Sequence, residues 1–349
     1  MLNIKGLKEN VTLAPFTTYK IGGPADFFVE VKSSDELAAA VIESRAKNMP
    51  YFILGTGANI LITDKGFRGL VVRNLANNFE FLNLSSDSSP MSADADHGRR
   101  ELLSSSPPGS KDLPFPLPLP NEMRIGGDGR RPEGVALKAE SGAVVADLIQ
   151  ECLKRGLSGL EHFVGIPSSV GGAIWQNLHF LNPDRSGTAF ISEIVENGKI
   201  LGEDNTIKEV DRDFFKFGYD DSILHHKNLI VLEVTLKLTP KSQDKIRHVM
   251  EQNMAWRCSK QPQLWEYASC GSVFKKIEGA GAGRLIEKAG LKGHQIGKIK
   301  VSEKHANYLV NLGGASSSDV LAMIEHIQEQ VEQKTGHLLE PEISIVGEK

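Results

Sequence analysis

A glycine-rich segment at residues 55–59, Gly-Thr-Gly-Ala-Asn, most constrains the fold of this 349-residue chain. It follows an apolar run, residues 51–54, and precedes a β-branched run, residues 60–62, so the pattern predicts a turn between two strands. A Rossmann dinucleotide-binding loop needs a third glycine and a helix directly after it. Because Ile60 holds the third glycine position and a strand follows, the sequence argues against a Rossmann fold.

A second glycine-rich loop, residues 165–173, reads Gly-Ile-Pro-Ser-Ser-Val-Gly-Gly-Ala and begins 110 residues after the first. Its glycines allow the backbone to approach a ligand closely, and its two serines add hydroxyl groups. The first loop alone is equally consistent with an ordinary tight turn and with a nest of backbone N–H groups that binds an anion. The two loops together predict a long ligand held between two lobes.

Strand and helix patterns alternate along the chain and predict an α+β fold. Strands are predicted at residues 27–31, 51–54, 60–62, 70–72, 135–139, 229–238 and 308–310. Helices are predicted after Ser33, at 144–155, around 284–289, and through Val320 and Ile327 to Gly336. The polar run after Pro240 predicts a boundary between a first domain, residues 1–240 with lobes at about 1–75 and 76–240, and a second domain, residues 241–349.

Residues 85–134 depart from this pattern. Seven of the 16 prolines lie between Pro90 and Pro120, among many serines and aspartates. Such a composition cannot bury enough apolar surface to offset the entropy of ordering it. We therefore predict an exposed insertion within the second lobe.

The composition also disfavours several classes of protein. A formal net charge of −4 argues against a phosphate-neutralising nucleic-acid binder, and three cysteines without a CxxC motif argue against a disulfide framework or a thiolate zinc site. The chain has no run of 18 apolar residues, and its first ten residues lack the apolar core of a signal peptide. We expect a cytoplasmic monomer with a small-molecule substrate, no metal, no nucleic-acid partner and no membrane association.

Nine sequence segments, taken as a set, resemble the UDP-N-acetylenolpyruvoylglucosamine reductase family. They occur in family order at residues 18–25 (Thr-Tyr-Lys-Ile-Gly-Gly-Pro-Ala), 54–59, 156–161, 165–173, 260–262, 271–275 (Gly-Ser-Val-Phe-Lys), 290–293, 301–307 and 339–342 (Leu-Glu-Pro-Glu). The resemblance is to the shorter variety, which lacks an extra tyrosine-bearing substrate loop. It implies a two-lobed FAD-binding domain of the vanillyl-alcohol-oxidase/PCMH type, followed by a smaller α+β substrate-binding domain.

The resemblance also implies an activity and a set of site residues. NADPH would reduce noncovalently bound FAD, and the flavin would pass hydride to the enolpyruvyl group of UDP-N-acetylenolpyruvoylglucosamine, giving UDP-N-acetylmuramate for peptidoglycan. Ser272 would donate the proton and Glu342, kept neutral, would support the enolate. The implied cofactor-binding residues are Gly22, Gly55, Thr56, Gly57, Ala58, Asn59, Gly165, Ile166, Pro167, Ser168, Ser169, Gly171, Gly172 and Ala173. The implied substrate-binding residues are Tyr219, Lys260, Lys275 and Asn307.

Two segments depart from the family pattern. The family motif Tyr-Arg-x-Ser reads Tyr-Asp-Asp-Ser at residues 219–222, so Asp220 occupies the position of an enolate-stabilising arginine. Either another cation, with Arg257 and Arg284 as candidates, takes this role, or the activity is altered or lost. Residues 174–179, Ile-Trp-Gln-Asn-Leu-His, are also bulkier than the family's Met-Asn-Ala-Gly-Ala. The alternatives are therefore a catalytically silent flavin or UDP-sugar binding protein and a sugar-oxidising flavoenzyme of the same fold.

Overall fold

The computed structural model describes residues 2–83, 134–277 and 279–348, which form three packed regions. The first contains β1 (Lys8–Thr12), β2 (Pro24–Val31), α1 (Ser34–Ala46), β3 (Tyr51–Leu54), β4 (Ile60–Ile62) and β5 (Phe67–Asn74). Its sheet has the strand order β1-β2-β5-β3, in which β2, β5 and β3 are parallel and β1 is antiparallel to β2. Helix α1 begins where predicted, because the Ser33 side chain accepts a hydrogen bond from the Glu36 backbone N–H.

The second region is larger and surrounds a six-strand sheet with the order β12-β11-β13-β7-β6, in which β8 also pairs with β13. Its elements are β6 (Phe79–Asn83), β7 (Val135–Glu140), α2 (Val145–Arg155), β8 (Leu157–Ser158), α3 (Val170–Gln176), β9 (His179–Leu181), β10 (Thr188–Phe190), β11 (Val195–Leu201), β12 (Ile207–Asp211), β13 (Ile230–Pro240) and α4 (Gln243–Lys260). Helix α2 ends as predicted at Gly156, which adopts the left-handed conformation.

The predicted insertion at 85–134 lies outside the described residues except for Gly134. Its flanks are described. Strands β6 and β7 are antiparallel neighbours, and Asn83 pairs with Val135. The chain positions on either side of the insertion are therefore adjacent, so the insertion occupies a strand-to-strand connection of the second region, where extra residues leave the strand pairing intact.

The third region contains α5 (Ala282–Lys288), β14 (Gln295–Ile296), β15 (Ile299–Val301), β16 (Leu309–Asn311), α6 (Ser317–Thr335) and β17 (Ser344–Val346). Buried side chains of α6 pack over the antiparallel strands β14-β15-β16, and Gly336 ends α6 as predicted. No helix in the described parts of the chain is both long and apolar enough to cross a bilayer.

The predicted domain boundary after Pro240 stays a prediction. Helix α4 follows Pro240, and its buried residues Ile246 and Met250 belong to the same hydrophobic core as α2 and β13. We therefore propose that the second lobe extends to the end of α4, and that the smaller domain begins near Gln261.

Several contacts join the third region to the first. Strand β17 pairs in parallel with β4, Asn311 Nδ2 donates to Tyr19 O at 2.9 Å, and Asp64 lies at the beginning of α6. The Asp64 carboxylate accepts hydrogen bonds from the backbone N–H groups of Ser317 (2.8 Å) and Ser318 (3.2 Å), and the Asp64 N–H donates to Ser317 Oγ at 2.8 Å. Asp64 thus stabilises the helix N-terminus from a different part of the fold.

Asp64→Ala is expected to lower the free energy of unfolding by about 1–3 kcal/mol, because it leaves two helix N–H groups without a carboxylate partner. Urea denaturation followed by circular dichroism measures this loss. Asp26→Ala is the control: Asp26 forms an exposed ion pair with Arg68 at 2.7 Å, so its loss should cost less than about 1 kcal/mol. Equal effects of the two substitutions would contradict a special role for Asp64.

Candidate active site

A cavity of about 2000 Å³ lies where the three regions meet. Its walls come from the β3–β4 loop, the loop before α3, the end of α4 and the segments around residues 272, 306 and 342. Pockets for a single small ligand usually measure about 300–1000 Å³. The cavity therefore has room for a large cofactor together with a second ligand.

The first glycine-rich loop forms one wall and is held through its carbonyl groups. Gly57 O accepts a hydrogen bond from the Thr18 N–H at 3.0 Å, and Asn59 O accepts one from the Ser344 N–H at 3.1 Å. The N–H groups of Thr56, Gly57 and Ala58 donate no hydrogen bond within the described part of the chain. Gly57 has φ +69°, and a Cβ there would lie 2.1 Å from Phe16 O. Free successive N–H groups favour the anion-nest interpretation over an ordinary turn.

The second loop meets the first across the cavity. A Cβ on Gly55 would lie 2.5 Å from Ser169 Oγ, and Thr56 Oγ1 lies 3.5 Å from Pro167 O. Backbone bonds hold this loop in place, from Val145 N–H to Ser168 O at 2.9 Å and from the glycine at residue 171 to Ser141 O at 2.7 Å. The structure therefore brings together two loops that are 110 residues apart, as the sequence predicts.

Ser272 lies in the same cavity, on the side of the third region. It forms an antiparallel bridge with Tyr308, and its side chain is near enough to act on the Tyr308 phenol, whose pKa it lowers against the effect of burial. Asn307 lies beside them, but its side chain serves the backbone: Asn307 Nδ2 donates to Phe274 O and Oδ1 accepts from the Phe274 N–H, both at 2.9 Å. Asn307 therefore positions the segment that carries Ser272.

Glu342 is mostly buried and its backbone N–H donates to Val273 O at 2.8 Å, which places it next to the Ser272 segment. Burial raises the pKa of the Glu342 carboxyl to about 8; the charge of Asp220 adds to this rise and Lys275 opposes it. Glu342 is therefore mainly neutral at pH 7. The Glu342 carboxyl can then donate a hydrogen bond to an anionic oxygen, as its predicted role requires.

Asp220 lines the cavity with φ +53°, and its carboxylate lies 3.6 Å from His179 Nδ1. The neighbouring Tyr219 ring packs on His179 with a centroid distance of 4.6 Å. Burial raises the pKa of the Tyr219 phenol to about 12, with contributions from the charges of Asp220 and Glu342. Among the described residues, this part of the cavity therefore contains two acidic groups, Asp220 and Glu342, and no arginine.

Several cations line the rest of the cavity, namely Lys227, Arg257, Lys260, Lys276, Arg284, Lys292 and Lys304. Lys292 pairs with Glu287 at 2.8 Å and Lys304 with Glu266 at 3.2 Å. Arg257 is the buried member of this group, with 9% of its surface exposed, whereas Arg284 and Lys260 are exposed.

The structure does not bring three of the predicted site residues into the cavity. Gly22 packs behind the first loop, where a Cβ would lie 3.1 Å from Ala14 N, so this glycine serves a turn. Ala173 faces the core of the second region and has no exposed surface. Lys275 is exposed and pairs with Glu340 at 2.5 Å. We leave these three residues out of the site proposed below.

Sequence reasoning missed several residues that line the cavity. Tyr308 directly follows the 301–307 motif, so its position was the available signal. The sequence singles out Asp220 but not its contact with His179, because the two residues are 41 positions apart and no spacing rule connects them. Trp175 is 40% exposed, stacks on His225 at a centroid distance of 4.5 Å, and forms part of the bulkier wall that the sequence indicates.

Comparisons with known proteins support a single family. Residues 261–346 match the family model described as UDP-N-acetylenolpyruvoylglucosamine reductase, C-terminal domain. A protein of that name from Caldanaerobacter subterraneus subsp. tengcongensis is 36% identical over 340 residues, covering 97% of this chain and 93% of the relative. Another, from Clostridium botulinum strain Hall, is 33% identical over 334 residues, covering 95% of this chain and 90% of the relative.

A solved structure supports the same conclusion about the fold. The crystal structure of UDP-N-acetylenolpyruvylglucosamine reductase from Thermus caldophilus superposes with a TM-score of 0.68 at 27% identity, covering 96% of this chain and 97% of that chain. The match extends over both lobes and the third region, so the predicted fold class is confirmed.

Proposed function

The chain belongs to the UDP-N-acetylenolpyruvoylglucosamine reductase family, and on this premise we propose that it reduces the enolpyruvyl group of UDP-N-acetylenolpyruvoylglucosamine to give UDP-N-acetylmuramate. In this proposal NADPH is the hydride donor and FAD is the bound carrier, in the synthesis of peptidoglycan precursors in the cytoplasm. One observation carries the proposal: two facing glycine-rich loops share one cavity with Ser272 and a neutral Glu342.

The residues of the cavity fit FAD. The free N–H groups of residues 56–58 suit a diphosphate, and the Ser168 and Ser169 side chains lie in the facing wall. The proposed binding residues are those of the predicted set that line the cavity, namely Gly55, Thr56, Gly57, Ala58, Asn59, Gly165, Ile166, Pro167, Ser168, Ser169, Gly171 and Gly172. When bound, FAD supplies a centre that accepts a hydride from NADPH and returns it to the substrate.

The chain's own residues manage the proton and the charge. Hydride addition to the terminal carbon of the enolpyruvyl double bond leaves an electron pair on the neighbouring carbon and its carboxylate. Ser272 donates its hydroxyl proton to that carbon, and the antiparallel bridge with Tyr308 holds the Ser272 segment in position. Neutral Glu342 donates a hydrogen bond to the enolate, whereas an ionised carboxylate would repel it.

The remaining predicted substrate-binding residues have different proposed roles toward the substrate. Lys260 is exposed at the end of α4 and is available to a diphosphate. The exposed Tyr219 ring offers a surface for packing against the sugar. Asn307 uses its amide on the Phe274 backbone, so we assign it a positioning role.

Asp220 favours one alternative, a catalytically silent protein that binds the same ligands. A carboxylate in place of the expected arginine adds negative charge where an enolate would form. Loss of one stabilising donor of this kind typically costs about 3–4 kcal/mol of transition-state stabilisation. The alternative predicts binding of flavin and UDP-sugar without turnover.

The purified protein is expected to be yellow because it binds a flavin. Denaturation should release this flavin as FAD. NADPH oxidation, followed by absorbance, should depend on added UDP-N-acetylenolpyruvoylglucosamine. Flavin binding without substrate-dependent oxidation would support the silent alternative. A protein that takes up no FAD would overturn both the proposal and the silent-flavoprotein alternative.

A further inference from the structure

Arg257 is a buried cation whose charge has no partner in the protein. It lies in the last turn of α4, and among the described residues no carboxylate forms an ion pair with it. Its Nη2 donates to Gly165 O at 3.0 Å, and its Cζ lies 5.3 Å from the centre of the Phe180 ring. Its Nε is buried without a hydrogen-bond partner. Burial lowers the pKa of the guanidinium, which is the sign of an uncompensated charge.

An unpaired buried charge is costly, and proteins keep one where a ligand supplies the counterion. The small part of Arg257 that remains exposed faces the cavity, because Arg257 is one of the cavity's lining residues. A side chain at residue 165 would collide with it: a Cβ on Gly165 would lie 3.1 Å from Arg257 Nε. The fold therefore makes room for the guanidinium at the cavity wall.

Arg257 also lies in the same group of side chains as the proposed proton donor. Tyr308 is bridged to Ser272, and the charge of Arg257 acts on the Tyr308 phenol, where it opposes the pKa increase caused by burial. Ser272 protonates the carbon that bears the substrate carboxylate. Arg257 and Ser272 line the same cavity, so the guanidinium is available to a carboxylate bound there.

The acidic side chains on the opposite side of the site would repel an anionic ligand that has no positive group next to it. Asp220 and Glu342 both line the cavity, and Asp220 acts electrostatically on Glu342. A carboxylate ligand entering next to them would meet repulsion unless a positive group faced it. Arg284 is the other arginine in the cavity wall, but it is exposed on α5 and no described contact links it to Ser272 or Tyr308.

Resting on the function proposed above, we propose that Arg257 binds the carboxylate of the enolpyruvyl substrate and takes the charge-stabilising role that Asp220 cannot perform. The guanidinium offers a planar pair of donors to two carboxylate oxygens. The negative charge that hydride addition places on this carboxylate would then develop next to a fixed cation in a water-poor site, where a cation is most effective.

The test compares two ligands that differ in the carboxylate. UDP-N-acetylmuramate carries it on a 3-O-lactyl group, whereas UDP-N-acetylglucosamine has a free hydroxyl in place of the whole lactyl group. Calorimetric titration of the FAD-loaded protein measures both dissociation constants. Arg257→Met should weaken the binding of UDP-N-acetylmuramate about 10- to 100-fold, the range for a hydrogen bond between charged groups. The affinity for UDP-N-acetylglucosamine should change less than about 3-fold. Arg257→Lys should recover part of the loss.

Arg247→Met is the matched control, since Arg247 lies on the same helix outside the cavity, and neither affinity should change. Arg257→Met should unfold at a temperature no lower than the wild type in the absence of ligand, because it removes an unpaired buried charge. Arg257→Lys provides the comparison if the methionine variant does not fold.

Three results would overturn the assignment of Arg257. The first is equal weakening of both ligands, the second is no weakening of either, and the third is a carboxylate-specific loss in Arg284→Met instead. Loss of FAD from Arg257→Met would also overturn it, because Arg257 would then hold the flavin. If the wild type binds neither UDP-sugar, the proposed function itself fails, and the two failures are therefore distinguishable.

Discussion

Ser272→Ala is expected to slow substrate reduction by about 10²- to 10⁴-fold, the usual contribution of a positioned proton donor. Ser272 lies in the cavity and its segment is held by the bridge to Tyr308, so alanine removes the proton without removing the packing of the segment. Reduction of the flavin by NADPH should continue at the wild-type rate. Stopped-flow absorbance of the flavin separates the two steps, because it follows reduction by NADPH and reoxidation by substrate independently.

Ser259→Ala serves as the control for this prediction, since Ser259 is exposed on α4 outside the cavity. Tyr308→Phe should give a smaller loss than Ser272→Ala, because it removes only a hydroxyl near the serine. If Ser272→Ala instead abolishes flavin binding, or leaves reoxidation unchanged, Ser272 is not the proton donor.

Glu342→Gln should make the protein more stable at pH 8 while it lowers the rate of substrate reduction. The pKa of Glu342 is about 8 in the folded protein, against 4.5 for an unperturbed glutamate. Between these pH values the folded state keeps a proton that the unfolded state has released, so the free energy of unfolding falls as pH rises through this window. Glutamine removes this loss, and we expect a gain of roughly 4 kcal/mol at pH 8 and less than about 1 kcal/mol at pH 5.

Denaturation in urea at pH 5 and pH 8 measures this difference in the absence of substrate. Glu340→Gln is the matched control, because Glu340 is exposed two residues away and pairs with Lys275. Its effect should not grow between the two pH values. A pH-independent effect of Glu342→Gln would mean that the Glu342 carboxyl is already ionised at neutral pH.

The same carboxyl should control the pH dependence of turnover. Substrate reduction by the wild type should decline above about pH 8, where Glu342 loses its proton. Asp220→Asn removes a charge that raises the pKa of Glu342, so the decline should move to lower pH. An unchanged pH profile in Asp220→Asn would show that Asp220 and Glu342 are not coupled during turnover.

Much of the fold could be predicted because its signals are local. Ser33 with Glu36 begins α1, Gly156 ends α2 and Gly336 ends α6, and each of these signals lies within a few residues of the backbone groups that it stabilises. The division between domains was harder to predict. The polar run after Pro240 indicates a change of element, but only packing shows that Ile246 and Met250 of α4 enter the core of the second lobe.

The candidate site was predicted in part. Both glycine-rich loops, Ser272 and Glu342 line one cavity as expected, whereas Gly22, Ala173 and Lys275 do not. A motif marks a segment, but neighbouring residues of an extended or helical segment point in different directions. The resemblance therefore could not decide which side chains of a matching segment face the ligand.

The sequence alone determined the family, the α+β character, the strand-to-strand glycine turn and the substitution at residue 220, because these depend on residue types and their order. Tertiary structure decided which groups carry charge and where. The pKa of Glu342 depends on burial and on Asp220, which is 122 positions away, and the unpaired charge of Arg257 depends on the absence of a nearby carboxylate in the described fold. Electrostatic energies follow distances and solvent exposure, and the order of residues along a chain specifies neither.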